Sequence, residues 1–216
     1  MDTWELVDAE RSVFADLTDS LTPEQWDTQS LCTEWKVRDV VAHVIQGATI
    51  GGTGESIKQL FKYGFRLNKL INEEAKKGGQ ASTDELRANL RATIGSRVTQ
   101  PGVKAPGILA DEIVHQQDIR RPLGLARQLP PESARVALDE LKRFSSGSTF
   151  GLLPVKKRVH GLHLTATDLD WEAGAADAPE VSGTAEALMM AMAGRPVVLP
   201  ELSGAGVDQL RERIAA

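Results

Sequence analysis

Cysteine is almost absent. Cys32 is the only one in the chain, so no internal disulfide can form and a paired-thiol redox motif is excluded. A reducing cytoplasm is therefore the expected compartment. No apolar run approaches the roughly 20 residues that span a bilayer, and no membrane association is expected. The first residues, MDTWELVDAER, carry charge and no apolar stretch, which predicts no signal peptide. Positive charge is not in excess: the formal net charge is −5, which removes the general electrostatic reason to bind nucleic acid. No internal repeat or low-complexity tract is present. Histidine is scarce, with His43, His115, His160 and His163 the only four.

What remains is an ordinary globular balance, with 41% hydrophobic and 25% charged residues, enough for one large domain or two modest ones. The first two-thirds read as helices. Val7, Phe14 and Leu17 recur at helical spacing, and Thr22-Pro23 opens a short second helix as N-cap and first helical residue. Val37, Val40, Val41, Val44 and Ala48 form an apolar stripe that marks a core helix. The GGTGE run at 51–55 is expected to end or break it. IKQLFKYGFRLNKLINEEAKK is expected to form another amphipathic helix, closed by Gly78-Gly79. A helix is expected over 83–98. Pro101, Gly102, Pro106 and Gly107 read as a loop, and a further helix ends at Pro122 and Gly124. The reading is an up-and-down four-helix bundle over residues 1–128.

Composition changes at Leu129-Pro130-Pro131, which reads as a linker. Beyond it, residues 129–216 read as a small α/β domain. ESARVALDELKRFSS is a helix, and RVHGLHLTATDLDWEAG alternates as a half-buried strand does. A short strand, a helix at 183–193, a turn at Gly194-Arg195-Pro196 and a last helix at 204–214 follow. The fold class is α+β. On the strand, His160 and His163 face opposite sides and make a poor ligand pair.

One stretch carries chemistry: DEIVHQQDIRRPLG, residues 111–124. On a wheel advancing about 100° per residue, Asp111, His115 and Asp118 fall within one narrow stripe, bordered by Ile108, Val114 and Ile119. Buried acid and imidazole groups are costly unless something pairs with them. A metal ion does so with ligands from one helical turn. His43, at the edge of the valine stripe, is the candidate third ligand from a facing helix. His43, Asp111 and His115 would form a two-histidine, one-carboxylate site, with Asp118 orienting His115. The plainer alternative is an i,i+4 ion pair between Asp111 and His115 and an interior His43 bonded to a carbonyl. Arg120-Arg121 either binds an anionic group or is a solvated helix end favoured by the macrodipole. Cys32 reads as a small buried hydrophobe.

LTPEQWDTQSLCTEWKVRDVVAHV and HQQDIRRPLG together resemble the two N-terminal blocks of the mycothiol-dependent maleylpyruvate isomerase family. GLHLTATDLDWEAG and the segment from Val181 to Ile214 resemble its tail. The resemblance spans nearly the whole chain. It implies a DinB-like metal-binding four-helix bundle followed by a small α/β C-terminal domain. It implies a divalent metal, zinc or another such as nickel, held by His43, Asp111 and His115. The family's acid is commonly glutamate; Asp111 is one methylene shorter, and Glu112 is the alternative ligand.

The resemblance further implies mycothiol as thiol cosubstrate, activated as a thiolate for attack on a small electrophile, in an S-transferase or isomerase of an actinobacterial cytoplasm. Arg120, Arg121 and Arg158 are the expected contacts to mycothiol. Asp118, Arg121 and Arg195 are the catalytic candidates, with Arg158 and Arg195 reaching in from the second domain. A monomer or homodimer is expected. Two other classes stay open: a non-catalytic protein holding an apolar or lipid ligand, and a regulatory dimer in which Asp111 and His115 are structural.

Overall fold

In the computed structural model, the described residues are 2–50, 66–100, 102–125, 127–145 and 154–215. The chain divides into two compact units, Met1–Arg127 and Gln128–Ala216. The expected GGTGE break, and the first half of the helix expected from Ile57, lie outside the described residues.

The first unit contains α1 (Thr3–Ser20), α2 (Pro23–Trp26), α3 (Val37–Thr49), α4 (Leu67–Gly78), α5 (Thr83–Ala92) and α6 (Ala105–Arg120). Helix α1 packs on α5 and α6, α3 packs on the same two, and α4 lies against α3. The four-helix arrangement is therefore α1, α3, α5 and α6. Its core joins Phe14 and Leu17 of α1, Trp26 of α2, the valines of α3, Leu86 and Leu90 of α5, and Ile119 of α6. The helix starts follow capping chemistry. Thr22 Oγ1 accepts from the Gln25 N–H at 3.4 Å while Gln25 Oε1 accepts from the Thr22 N–H at 2.9 Å. Ser82 Oγ accepts from the Glu85 N–H.

Two helix boundaries differ from expectation. Helix α5 stops at Ala92 instead of running to 98. Arg11 of α1 donates to the Thr93 carbonyl at 3.0 Å and the Ser96 carbonyl at 2.8 Å, and Gly95 takes a φ of +85°. The chain leaves helical geometry where a buried guanidinium collects its carbonyls. Helix α6 begins at Ala105, so Pro106 and Gly107 belong to its first turn. A proline there forfeits no hydrogen bond, because first-turn N–H groups have no helical partner.

The rotation of α6 against α1 is fixed by buried charge. Arg11 Nε donates to Glu112 Oε1 at 2.9 Å, with both side chains almost wholly buried. Glu10 accepts from Arg127 through both oxygens, at 2.5 and 2.9 Å, and from Gln116 Nε2 at 3.1 Å. At the far end of α6, the Asp118 carbonyl has no partner four residues on, because Pro122 lacks an N–H. It accepts instead from the Leu31 N–H at 3.0 Å, tying the segment before α3 to α6.

The second unit contains α7 (Pro131–Ser145), α8 (Val155–Val159), β1 (His163–Ala166), β2 (Glu172–Ala173), β3 (Glu180–Gly183), α9 (Ala185–Met192), a 3-10 helix (Pro196–Glu201) and α10 (Val207–Ala215). The sheet order is β2-β1-β3, with β1 antiparallel to β2 and parallel to β3. The alternation read as one strand from Arg158 is in fact a helix, a turn and a strand. Val155 and Val159 bury the inner face of α8, and Gly161, at φ +67°, reverses the chain before β1. His160 caps α8, while His163 lies on β1 with Nε2 3.7 Å from Glu172 Oε2. Pro131 opens α7 rather than extending a linker.

Candidate metal centre

Helices α3 and α6 place His43 and His115 opposite one another. Their rings meet edge to face, with centroids 4.9 Å apart and planes at 76°. One turn before His115 on the same stripe, Asp111 brings Oδ1 to 3.4 Å from His115 Nε2. One donor atom from each of His43, Asp111 and His115 lies within 4.8 Å of the others. Among the described residues, Cys32, His115 and Asp118 form a second such group.

The structure separates two adjacent acids that the sequence leaves as alternatives. Asp111 faces the histidines and is half-exposed, whereas Glu112 is buried against Arg11. The shorter side chain reaches the cluster without any shift of the helix.

Asp118 stands behind His115. Its side chain is fully buried, and Oδ2 lies 3.0 Å from His115 Nδ1. The same oxygen accepts from the Cys32 thiol at 3.1 Å, and Cys32 Sγ is 3.9 Å from His115 Nδ1. A carboxylate on Nδ1 favours the tautomer with its hydrogen there, which leaves the Nε2 lone pair toward Asp111 and His43. Cys32 is thus more than the small buried hydrophobe expected: it is half-buried and hydrogen-bonded into the centre. Trp35 completes the neighbourhood, with its ring 4.9 Å from the His43 ring and 6.1 Å from the His115 ring.

Charge is unevenly distributed between the imidazoles. Burial, reinforced by the positive charge of His115, pushes His43 down to about 4 against the pull of Asp111 and Asp118. Burial also disfavours charge on His115, but Asp111, Asp118 and Cys32 outweigh it and hold this group well above the ordinary histidine range. The acids beside His115 thus favour its charged form, while burial keeps His43 toward its neutral one.

The donor set suits a divalent ion. Two imidazole nitrogens and one carboxylate oxygen are the ligand types of catalytic zinc. Ligands at about 2.1 Å around a tetrahedral ion stand about 3.4 Å apart, which is the separation of His115 Nε2 and Asp111 Oδ1.

The four candidate arginines are placed differently. Arg120 lies in a groove beside Val13, Leu17 and Leu125, and its Nε is buried without a partner among the described residues. Arg121 is the residue at which α6 ends. In the second unit, Arg158 donates to the Met192 carbonyl at 3.0 Å and fills the space left by Gly194. Arg195 donates to the Ala193 carbonyl at 2.8 Å. Both therefore engage carbonyls at the C-terminal end of α9.

Cys32 and Trp35 escape a reading of periodicity because both lie in the segment between α2 and α3. The usable signal is the polar pair Gln29-Ser30. Gln29 Nε2 donates to the carbonyls of Cys32 and Trp35, each at 2.8 Å, and Ser30 Oγ donates to that of Trp35 at 2.7 Å.

The profile of a family described as the mycothiol maleylpyruvate isomerase N-terminal domain matches residues 7–132. Among solved structures, a crystal structure of the mycothiol-dependent maleylpyruvate isomerase aligns with a TM-score of 0.52 and 16% identity, covering 90% of this chain and 88% of that one. A histidine-to-alanine mutant of that isomerase aligns with a TM-score of 0.57 and 14% identity, covering 94% and 92%. At these identities the structural likeness concerns the fold. No curated protein matches the chain. No helix among the described residues is long and apolar enough to cross a membrane.

Proposed function

The chain belongs to the mycothiol maleylpyruvate isomerase N-terminal domain family, and from that membership we propose that it is a divalent-metal-dependent, mycothiol-using S-transferase or isomerase acting on small electrophiles. The observation that carries this reading is the convergence of His43, Asp111 and His115 within 4.8 Å on two facing helices.

His43, Asp111 and His115 would hold the metal, which is zinc or a similar ion such as nickel. Three protein ligands leave a coordination position open. When bound, such an ion supplies the charge that lowers a thiol's pKa, so that a thiolate is available at neutral pH. Asp118 acts as a positioning group: it holds the hydrogen on His115 Nδ1 and keeps Nε2 turned inward. Cys32 is not required as a nucleophile in this scheme, because the cosubstrate supplies the thiol. Arg121, at the end of α6, serves as the contact for the anionic part of mycothiol.

The test is metal content of chelator-free protein, wild type beside His115→Ala, followed by mycothiol-dependent turnover of maleylpyruvate-like electrophiles. Near-stoichiometric zinc in wild type, lost in the variant, together with thiol-dependent turnover, is the expected result. Wild type that neither carries nor takes up a divalent ion would sink the reading.

A further inference from the structure

Trp35 donates nothing to the metal cluster, yet its indole lies against both imidazoles, 4.9 Å from one and 6.1 Å from the other, tilted by 40° and 38°. Its placement is built from both ends. The main chain of Trp35 is pinned in a turn: its carbonyl accepts from the Ser30 N–H at 3.0 Å as well as from Ser30 Oγ and Gln29 Nε2, and its N–H donates to the Cys32 carbonyl at 2.9 Å. The indole is pinned separately. Nε1 donates to Asn72 Oδ1 of α4 at 2.6 Å. Asn72 cannot usefully turn its amide round, because Nδ2 donates to Glu34 Oε2 at 2.7 Å, and Lys76 Nζ donates to the same oxygen at 2.7 Å.

We propose that Trp35 is a positioning residue of the centre: its ring, anchored to Asn72, braces His43 and His115 in the mutual orientation that metal binding needs. The inference rests on the metal reading above. Helix α4 supplies none of the three metal donors, and beside its packing on α3 the Trp35–Asn72 bond links it to the rings of the site. Imidazole rings turn about two side-chain torsions, and a flat apolar wall beside both removes orientations in which the lone pairs diverge. The cost of that ordering is then met on folding rather than when the ion arrives.

The experiment uses the full chain as wild type, Trp35→Leu, Trp35→Phe and Asn72→Ala. Zinc affinity is measured by competition with a chromophoric chelator, and imidazole nitrogen–proton correlations are recorded on the metal-free proteins. Outer-shell groups that orient ligands typically contribute about 10- to 100-fold in metal affinity. Trp35→Leu is expected to lose about 10-fold or more, with smaller losses for Trp35→Phe and Asn72→Ala, and with thermal unfolding of the metal-free variants still cooperative. Asn72→Ala retains the indole, so altered or broadened His43 and His115 signals in that variant report ring reorientation rather than a lost ring current. Zinc affinities within about twofold of wild type in all folded variants would overturn the proposal. If Trp35→Leu does not fold, the other two variants decide. If wild type binds no zinc, the metal reading fails by itself, and the metal-free spectra decide the bracing role: unchanged imidazole signals in Asn72→Ala reject it, changed ones uphold it.

Discussion

Helix α6 has two charged faces that behave in opposite ways. Toward α1 it presents Glu112 and Gln116, and there the protein answers its own charge: Arg11 meets Glu112, and Arg127 meets Glu10. Toward α3 it presents Asp111, His115 and Asp118, where the acids flank an imidazole and the Cys32 thiol joins them. A buried acid matched by a fixed guanidinium holds helices together. Acids gathered around a titratable imidazole make a place where a cation can enter. The same helix therefore carries a structural seam and a candidate centre about one residue apart on the wheel.

That contrast can be broken most forcefully at the seam. Arg11→Ala strands Glu112 in the interior and frees the carbonyls of Thr93 and Ser96. Losing one partner of a buried pair costs about 3–5 kcal/mol, so urea unfolding should show a loss of that size. Equilibrium dialysis of the folded fraction should show unchanged metal uptake. Loss of metal with little loss of stability would mean that the two faces are not separate.

The reverse experiment is Asp118→Asn. It replaces the carboxylate on His115 Nδ1 with a neutral amide. Metal affinity should fall about 10- to 100-fold, or about 1.4–2.8 kcal/mol, as read by chelator competition. An affinity equal to wild type would remove the orienting role of Asp118.

The contrast also predicts pH dependence in metal-free protein. His115 is raised in the folded state, so its contribution to stability is fully present below its unfolded value near 6.5 and is lost as pH rises through the folded value. His43 has the opposite sign. Lowered to about 4, it stays neutral when folded but takes a proton when unfolded, so stability falls as pH drops from about 6.5 toward 4. Thermal melts of chelator-treated protein should show both slopes, and His43→Gln should flatten the acidic one. An unaltered acidic slope in that variant would assign it to other groups.

The smallest effect is expected at the solvent-facing pair of Asp8 and Arg97. Asp8 is held below the ordinary carboxylate range chiefly by its hydrogen bond from Arg97, then against burial by Gly95 and the neighbouring cations. Its contribution is present above pH about 4 and lost as pH falls through the lower folded value. Asp8→Asn should cost about 0–1 kcal/mol at neutral pH, nearly nothing at pH 3, and should leave metal binding untouched. A loss comparable to that of Arg11→Ala would show that solvent-facing pairs matter as much as the seam.

The bundle and the shared stripe of its candidate residues were legible where periodicity carries the information. The valine stripe at 37, 40, 41 and 44 is fully buried as its spacing requires, and Asp111, His115 and Asp118 share a stripe by helical geometry alone. The choice between Asp111 and Glu112 was not legible, because it depends on Arg11, a hundred residues away in the chain. The end of α5 was hidden for the same reason. Cys32 and Trp35 were missed because their positions come from a turn held by side-chain-to-carbonyl bonds, which no repeat signals. The stretch from Arg158 to Ala166 misled because its alternation through Val159, Gly161 and His163 runs unbroken across the end of a helix, and only Gly161 marks the change.

The bond from the Leu31 N–H to the Asp118 carbonyl carries an evolutionary consequence. It is main chain to main chain, so it survives almost any substitution at position 31 except proline, which has no hydrogen to donate. It also depends on Pro122, whose missing N–H leaves that carbonyl open. The docking of the segment before α3 onto α6 is thus inherited through one proline and the backbone itself. Position 31 itself is left comparatively free to drift, while Cys32 and Glu34 beside it keep side-chain partners.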